Sequence, residues 1–169
     1  MTSPSTSPIS APSVRIRVAT ADDMAAMLAI INTAFAIETF LAGTRTNAEE
    51  MAKMMRTGEF LLAEDASGHL VACVYTEIRG DHGYFGMLSV DPSRQGTGLG
   101  KFMVETAENH CRSRGCVAMD MTVLSLRPDL PRFYRKLGYS QTGTEEYVPS
   151  RLFFKGAPRC DLMLFSKFL

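Results

Sequence analysis

The stretch SVDPSRQGTGLGKFMVETAENHC, Ser89–Cys111, joins the end of a predicted strand to a predicted helix through a glycine-rich loop. Its glycines Gly96, Gly98 and Gly100 stand at alternate positions. A helix N-terminus leaves backbone N–H groups unpaired and carries a partial positive charge, and glycine lets a ligand approach the backbone closely. The stretch therefore predicts an anion site, although a tight strand-to-helix turn would use the same glycines.

Lys101 favours the anion, because a cation in the first helical turn opposes the helix dipole unless an anion is bound there. Two familiar phosphate loops do not match. The P-loop needs a glycine where Gln95 stands and Ser or Thr where Phe102 stands, and the dinucleotide fingerprint needs its third glycine at Lys101 or Met103. The loop alone leaves the identity of the anion open.

The hydrophobic pattern around this loop alternates between strand-like and helix-like segments. The helix that follows the loop is long enough to make its flanking strands parallel. We therefore expect one α+β domain that borders on α/β, with a mixed, mostly antiparallel six- to seven-stranded sheet and about four helices. The predicted strands are residues 14–18, 60–65, 70–78, 83–90, 116–123, 142–148 and 160–166, and the predicted helices are 20–35, 47–56, 99–114 and 129–137.

Composition excludes several classes of function. The 169 residues carry no net charge, which gives no basic field for nucleic acid, and no apolar run approaches the length of a membrane span. Residues 1–13, rich in Ser, Thr and Pro, predict a disordered tail before a domain at 14–169. The lack of a signal sequence and of any C-x-x-C pair indicates a cytoplasmic protein with reduced, buried thiols, and the histidines show no metal-ligand spacing.

Two motifs give the chain a family resemblance. Gln95 to Gly100 has the pattern Gln-x-x-Gly-x-Gly after the strand ending at Val90, and RFYRKLGY follows at Arg132–Tyr139. Together they resemble the two central motifs of the GCN5-related N-acetyltransferase (GNAT) superfamily, in the same order and across Val14 to Phe168. The resemblance implies the GNAT fold, acetyl-CoA as cosubstrate without a metal, and acetyl transfer to a primary amine of a small molecule or peptide. A non-catalytic coenzyme A-binding module is the alternative.

The resemblance also implies roles for individual residues. Tyr134 would be the general acid toward the departing thiolate; the residue pattern alone favours a half-buried core aromatic, and the motif context favours the acid. The backbone of the strand would bind the pantetheine arm through Leu88, Ser89 and Val90. The loop would bind the pyrophosphate through Gln95, Gly96, Thr97, Gly98, Leu99, Gly100 and Lys101. A basic group could reach the 3′-phosphate or form a solvated helix face: Arg127, Arg132, Arg135 and Lys136. Arg127 and Leu130 depart from the Asn and Ala that the second motif often carries.

The base and the acceptor are less defined. The strand at 83–90 has no carboxylate where some family members place a base, so Glu77 is the first candidate, ahead of Asp81 and His82. Between the first two helices, Glu38 could attract a cationic amine, Phe40 and Leu41 could form an apolar wall, and Arg45 could instead favour an acidic substrate. The apolar segment 161–169 is either buried in the monomer or a homodimer contact.

Overall fold

One mixed sheet of seven strands carries four α-helices in this computed structural model, which describes residues 12–40, 42–147 and 158–169. The strands are β1 (Arg15–Val18), β2 (Glu59–Glu64), β3 (Leu70–Arg79), β4 (His82–Val90), β5 (Ala118–Leu124), β6 (Ser140–Glu146) and β7 (Asp161–Phe168). The helices are α1 (Met24–Ala34), α2 (Ala48–Thr57), α3 (Leu99–Arg112) and α4 (Asp129–Lys136). The predicted α+β architecture is confirmed. Most of the predicted tail, as well as Leu41 and Val148, lies outside the described residues.

The sheet order is β1-β2-β3-β4-β5-β7-β6, and every neighbouring pair is antiparallel except β4 and β5. The crossover through α3 makes these two parallel, as predicted. Their pairing is short, because it joins only His82 to Ala118, Gly83 to Met119 and Tyr84 to Asp120. Beyond Tyr84 the two strands diverge, which opens the sheet at its centre.

Local signals set the helix ends. The Asn47 side chain caps α2 by accepting a hydrogen bond from the Glu50 N–H at 3.0 Å. The predicted start at Thr20 differs from α1 itself, since Ala21–Asp23 form a 3-10 turn closed by a 2.8 Å bond from the Thr20 N–H to Asp23 Oδ2. α3 ends at Arg112, so Arg114 belongs to the turn that follows the helix.

Two hydrophobic layers hold the sheet. One packs the buried side of α3, including Met103 and Ala107, against Phe85 of β4 and Met119 of β5. The other packs α1 and α2 against the opposite face of β2 and β3, with Met27, Ile31, Met51, Phe60 and Tyr75 buried. These layers fix β4 from both faces, so the opening beside it has rigid walls.

β7 lies between β5 and β6 rather than at an edge, so its backbone is paired on both sides within the monomer, while Phe168 at its end is exposed. The four cysteines are free and buried, and burial raises the pKa of the Cys73 thiol to about 12. Across the described part of the chain, no helix combines the length and the apolar character that crossing a bilayer requires.

Candidate functional site

A cavity of about 240 Å³ fills the opening between the diverging strands β4 and β5. Residues 84–88 of β4 form one wall and residues 121–124 of β5 form the other. Beyond Tyr84, no described strand pairs with the edge of β4 that faces β5. Backbone N–H and C=O groups on this edge can therefore hydrogen-bond to an amide-bearing ligand, as an added strand would.

A β-bulge shapes the β4 wall. Cys73 of β3 pairs with Ser89, and Tyr75 pairs with Gly86. Between these two pairs β4 therefore contains one more residue than β3. Met87 takes up the extra length with φ of 53°, a left-handed conformation that is unfavourable for a side chain of this kind. The buried Ser89 hydroxyl donates to the Met87 carbonyl oxygen at 3.0 Å and stabilises the bulge.

The glycine loop begins one turn beyond β4. Gly96 and Gly98 have φ of 77° and 84°, and a Cβ added to either would meet no atom within 4 Å. Two glycines in the left-handed region with open space in front of them form a cradle at the start of α3, with Gly98 as its N-cap. Thr97 Oγ1 donates to the Arg94 carbonyl at 2.5 Å and holds the loop in this shape.

The other residues predicted to bind the cofactor lie along β4, in the glycine loop, in α3 and in α4. Leu88 lines the cavity, Gln95 Nε2 donates to the Val90 carbonyl at 3.4 Å, and Leu99 is buried in the core. Gly100 lies beside both Val90 and Phe133 of α4. Lys101 is exposed, and its one ion pair within the described ranges is a loose contact of 3.8 Å to Glu105. Arg135 differs from expectation, because it contacts Gln141 of β6 and lies over the Phe165 ring of β7. No contact of Arg135 within the described residues leads to the glycine loop.

Tyr134 of α4 lines the same cavity and is 5% exposed. Its ring packs on Phe85, with 5.8 Å between the ring centroids, and edge-on against Phe133 and Tyr139. The ring is thus a core aromatic, and because it also lines the cavity, the general-acid role of its hydroxyl stays a prediction. Burial raises the pKa of its hydroxyl above the ordinary value, while the Arg127 guanidinium acts in the opposite direction. The hydroxyl is therefore protonated at neutral pH and has no hydrogen-bond partner among the described side chains.

Glu38 lines the cavity with 3% of its side chain exposed. Arg127 Nη1 donates to its Oε1 at 2.8 Å, whereas its Oε2 is buried and finds no partner in the described part of the chain. Desolvation raises the pKa of the Glu38 carboxyl, and Arg127 opposes that rise. Arg127 also donates to both carboxylate oxygens of Asp129. Arg127 lines the cavity beside Glu38, and none of its contacts among the described residues leads to the glycine loop.

The segment between α1 and α2 supplies two further lining residues, Phe35 and Arg45. The Asn32 side chain anchors this segment by hydrogen-bonding both the N–H and the carbonyl of Thr46, at 3.0 and 3.2 Å. The Arg45 guanidinium lies 5.2 Å from the centre of the Phe35 ring. Phe40 was expected to form the apolar wall, but Phe35 lines the cavity in its place.

Glu77 is not brought into the cavity. It lines a separate pocket with His110 and Arg114, accepts a 3.0 Å hydrogen bond from the Tyr75 hydroxyl, and pairs with Arg79 at 3.0 Å. The Arg79 guanidinium holds the pKa of Glu77 below its usual range, which makes it a weaker base. Glu77 is thus paired in a pocket apart from this cavity.

His82, another candidate base, is hydrogen-bonded through Nδ1 to Asp120 Oδ2 at 2.8 Å, and Ser166 Oγ donates to Asp120 Oδ1 at 2.6 Å. This cluster lines a second cleft that shares Tyr84, Met121 and Thr122 with the main cavity. No group of three potential metal ligands occurs among the described residues.

Comparisons with known proteins agree with this geometry. The sequence model of the acetyltransferase (GNAT) family matches residues 26–139. Glucosamine 6-phosphate N-acetyltransferase 1 from Oryza sativa subsp. japonica is 32% identical over 118 residues, which cover 65% of this chain and 67% of that protein. The mycothiol acetyltransferase of Propionibacterium freudenreichii subsp. shermanii is 28% identical over 96 residues, 54% of this chain and 31% of that protein. The chain thus matches about a third of the length of that relative.

Solved structures share the fold. The ribosomal-protein-S18-alanine N-acetyltransferase of Escherichia coli superposes with a TM-score of 0.73 at 18% identity, covering 92% of this chain and 93% of the other. A phosphinothricin acetyltransferase from Sinorhizobium meliloti, solved in complex with AcCoA, gives a TM-score of 0.72 at 19% identity, with 93% and 89% covered.

Proposed function

Because the chain belongs to the acetyltransferase (GNAT) family, we propose that it is an N-acetyltransferase that moves the acetyl group of acetyl-CoA to a primary amine. The observation that carries the proposal is the cavity between β4 and β5, where a free strand edge, the Tyr134 hydroxyl and the Glu38 carboxyl meet. The acceptor would be a small molecule or a peptide that enters from the α1–α2 side. The acetyltransferase relatives support the reaction class.

The glycine loop fits the pyrophosphate of coenzyme A. Gly96 and Gly98 leave open space before the backbone, and the first N–H groups of α3 have no acceptor within the helix. A bound diphosphate would satisfy those groups and also favour the exposed Lys101 ammonium. The backbone of Leu88, Ser89 and Val90 would bind the amide groups of the pantetheine arm, which places the thioester beside the β-bulge.

Direct transfer needs the chain to hold both substrates together and to supply two groups of its own. Acetyl-CoA supplies an activated acetyl group, which the amine attacks while both are bound. A backbone N–H at the Met87–Leu88 bulge would stabilise negative charge on the carbonyl oxygen, and the unusual φ of Met87 would serve to turn that group toward the ligand. Tyr134 donates a proton to the departing thiolate, and the nearby Arg127 charge stabilises the phenolate that donation leaves behind.

The amine must lose a proton before or during attack, because an ordinary alkylammonium has a pKa of about 10.4. Glu38, rather than Glu77, is the proposed general base. The raised pKa of the Glu38 carboxyl lies nearer to neutral pH, which makes the carboxylate a stronger base. Its Oε2 has no competing donor among the described residues. Glu38 thus binds the ammonium group and accepts its proton, directly or through one water.

Calorimetric titration of acetyl-CoA tests the binding half of this proposal. Gly98→Glu puts a side chain and a negative charge where the diphosphate is expected. Gly68→Glu is a matched control, because Gly68 lies in the β2–β3 turn with φ of 81° and equally open space. We expect wild type and the control to bind and Gly98→Glu to lose at least about tenfold in affinity. Equal binding by both variants would contradict the assigned loop.

A panel of amines then tests the transfer half, with thiol release and product mass as readouts. Acetyl-CoA binding without turnover of any amine would support the non-catalytic coenzyme A-binding module instead.

A further inference from the structure

Two side chains of opposite charge line the acceptor end of the cavity. Glu38 and Arg45 both come from the segment between α1 and α2, and both face the space that Tyr134 lines from α4. They lie close enough for the Arg45 charge to lower the pKa of the Glu38 carboxyl. The sequence had suggested a cationic acceptor from one of them and an acidic acceptor from the other. Their shared cavity makes the two suggestions compatible.

Glu38 has capacity for one more donor. Its Oε1 is occupied by Arg127 at 2.8 Å, but its buried Oε2 has no partner in the described ranges. A buried carboxylate oxygen without a donor is unfavourable, and most such atoms in native proteins are hydrogen-bonded. Because Glu38 lines the cavity, an ammonium group bound there would satisfy this atom once the buried oxygen turns toward it.

Arg45 has capacity for an anion. Its guanidinium lies over the Phe35 ring and has no carboxylate partner among the residues that the structure describes. It is half-buried, and the hydrogen bonds of Asn32 to Thr46 hold the adjoining backbone in place. Arginine is the side chain best suited to bind a carboxylate or a phosphate through two parallel hydrogen bonds.

We propose that the acceptor is zwitterionic, with a primary ammonium that binds Glu38 and a carboxylate or phosphate that binds Arg45. A simple amine would leave the Arg45 charge in the cavity without a counter-ion, and a purely acidic ligand would leave Glu38 Oε2 unpaired. This inference rests on the proposed acetyltransferase function and narrows its acceptor. The cavity of about 240 Å³ would also take the thioester end of acetyl-CoA, so the remaining space suits a small acceptor such as an amino acid or an amino sugar phosphate rather than a long polyamine.

Matched acceptors test the proposal. Each of a set of amino acids is compared with its methyl ester and its decarboxylated amine, and glucosamine 6-phosphate is compared with glucosamine. Initial acetylation rates give kcat/KM, and calorimetry on the protein saturated with coenzyme A gives acceptor affinity without turnover. We expect at least one acid-bearing acceptor to exceed its neutral counterpart roughly 10- to 100-fold in kcat/KM. The carboxylate and phosphate arms show which acidic group Arg45 accepts.

Variants at Arg45 localise the effect. Arg45→Gln should lower kcat/KM for the acid-bearing acceptor alone, which would abolish the preference within each matched pair. Arg45→Lys should retain part of that preference. Arg56→Gln, a change at an exposed arginine of α2, is the matched control and should leave the preference intact. Thermal unfolding confirms that each variant is folded.

The outcomes separate the two claims. Equal use of acid-bearing and neutral amines, or a loss of both members in Arg45→Gln, overturns the zwitterionic acceptor and leaves the acetyltransferase in place. Turnover of no amine, together with no acceptor binding in calorimetry, overturns both. Acceptor binding that requires the acidic group and Arg45, without turnover, supports the acceptor class and contradicts catalysis.

Discussion

Arg127 Nη1 donates to Glu38 Oε1 at 2.8 Å, a contact between residues 89 positions apart in the chain. It ties the segment before α2 to the start of α4, and therefore connects the Glu38 side of the cavity to the helix that carries Tyr134. With 16% and 3% of the two side chains exposed, the pair is largely removed from water. The same guanidinium affects the pKa values of both Glu38 and Tyr134.

Removing the Arg127 charge should destabilise the protein. Arg127→Met leaves the buried Glu38 carboxylate without its counter-ion. The free energy of unfolding should therefore fall by about 2–4 kcal/mol. Adding Glu38→Leu should recover most of that loss, because no buried charge then remains. Urea unfolding of the single and double variants measures both changes. An Arg127→Met variant as stable as wild type would show that the pair does not link these segments.

The loss should also depend on pH. The pKa of Glu38 is raised in the folded protein, so protonation of this group stabilises the folded state as pH falls below the folded pKa, and the stability is lost as pH rises through it. Without Arg127 the pKa rises further. The deficit of Arg127→Met relative to wild type should therefore be smaller at about pH 5 than at about pH 8. A deficit that is constant with pH would mean that Glu38 is not the group left unpaired.

Two tyrosines of the second motif should behave differently. Tyr134→Phe removes the proposed acid and should lower kcat by roughly 10²- to 10⁴-fold with little change in stability. Tyr139→Phe removes a buried hydroxyl that donates to Glu108 Oε1 at 2.8 Å, so it should lower stability by about 1 kcal/mol and leave kcat nearly unchanged. Steady-state kinetics and urea unfolding on both variants provide the comparison. Equal rate losses would argue against a specific role for Tyr134.

The bulge in β4 should depend on Ser89. Ser89→Ala removes the 3.0 Å bond to the Met87 carbonyl, which should cost about 1 kcal/mol of stability and weaken acetyl-CoA binding by roughly 3- to 10-fold. Ser113→Ala is the control, since its hydroxyl makes a comparable 2.8 Å bond to the His110 carbonyl at the exposed end of α3. If both variants bind acetyl-CoA equally well, the Ser89 hydroxyl does not support the ligand edge.

His82 should titrate above the ordinary histidine range, because Asp120 accepts a hydrogen bond from it and stabilises the imidazolium. A raised histidine pKa contributes stability that is present below the unfolded value of about 6.5 and is lost as pH rises through the folded pKa. Asp120→Asn should lower the His82 pKa, as read from the histidine C2 proton in NMR, whereas Asp81→Asn should lower it less. An unshifted resonance in Asp120→Asn would contradict this pairing.

Much of the fold was predictable from the sequence because its signals are local. Strand periodicity, the glycine loop and the helix caps at Asn47 and Gly98 each depend on a few neighbouring residues. The parallel pairing of β4 with β5 followed from the length of the crossover through α3. The point at which these strands separate has no such signal, since it depends on packing from both faces of the sheet.

The candidate site was only partly predictable, for two physical reasons. The Met87 bulge directly follows Gly86, and an isolated glycine in a strand can mark a bulge, but the glycine alone does not identify Met87 as the residue with the left-handed φ. The Glu38–Arg127 pair depends on a contact across 89 positions, although Arg127 had stood out as a departure from the family motif. In contrast, the pairing of Glu77 with Arg79 could have been predicted from the sequence, because residues two apart on a strand share a face of the sheet.

A crystal structure of the protein with acetyl-CoA tests the central claim most directly. We predict the pyrophosphate against Gly96 to Lys101, the pantetheine arm along Leu88 to Val90, and the thioester sulfur within about 3–4 Å of the Tyr134 hydroxyl. Density for acetyl-CoA elsewhere on the surface, with the opening between β4 and β5 empty, would contradict the assignment of this cavity as the acetyl-transfer site.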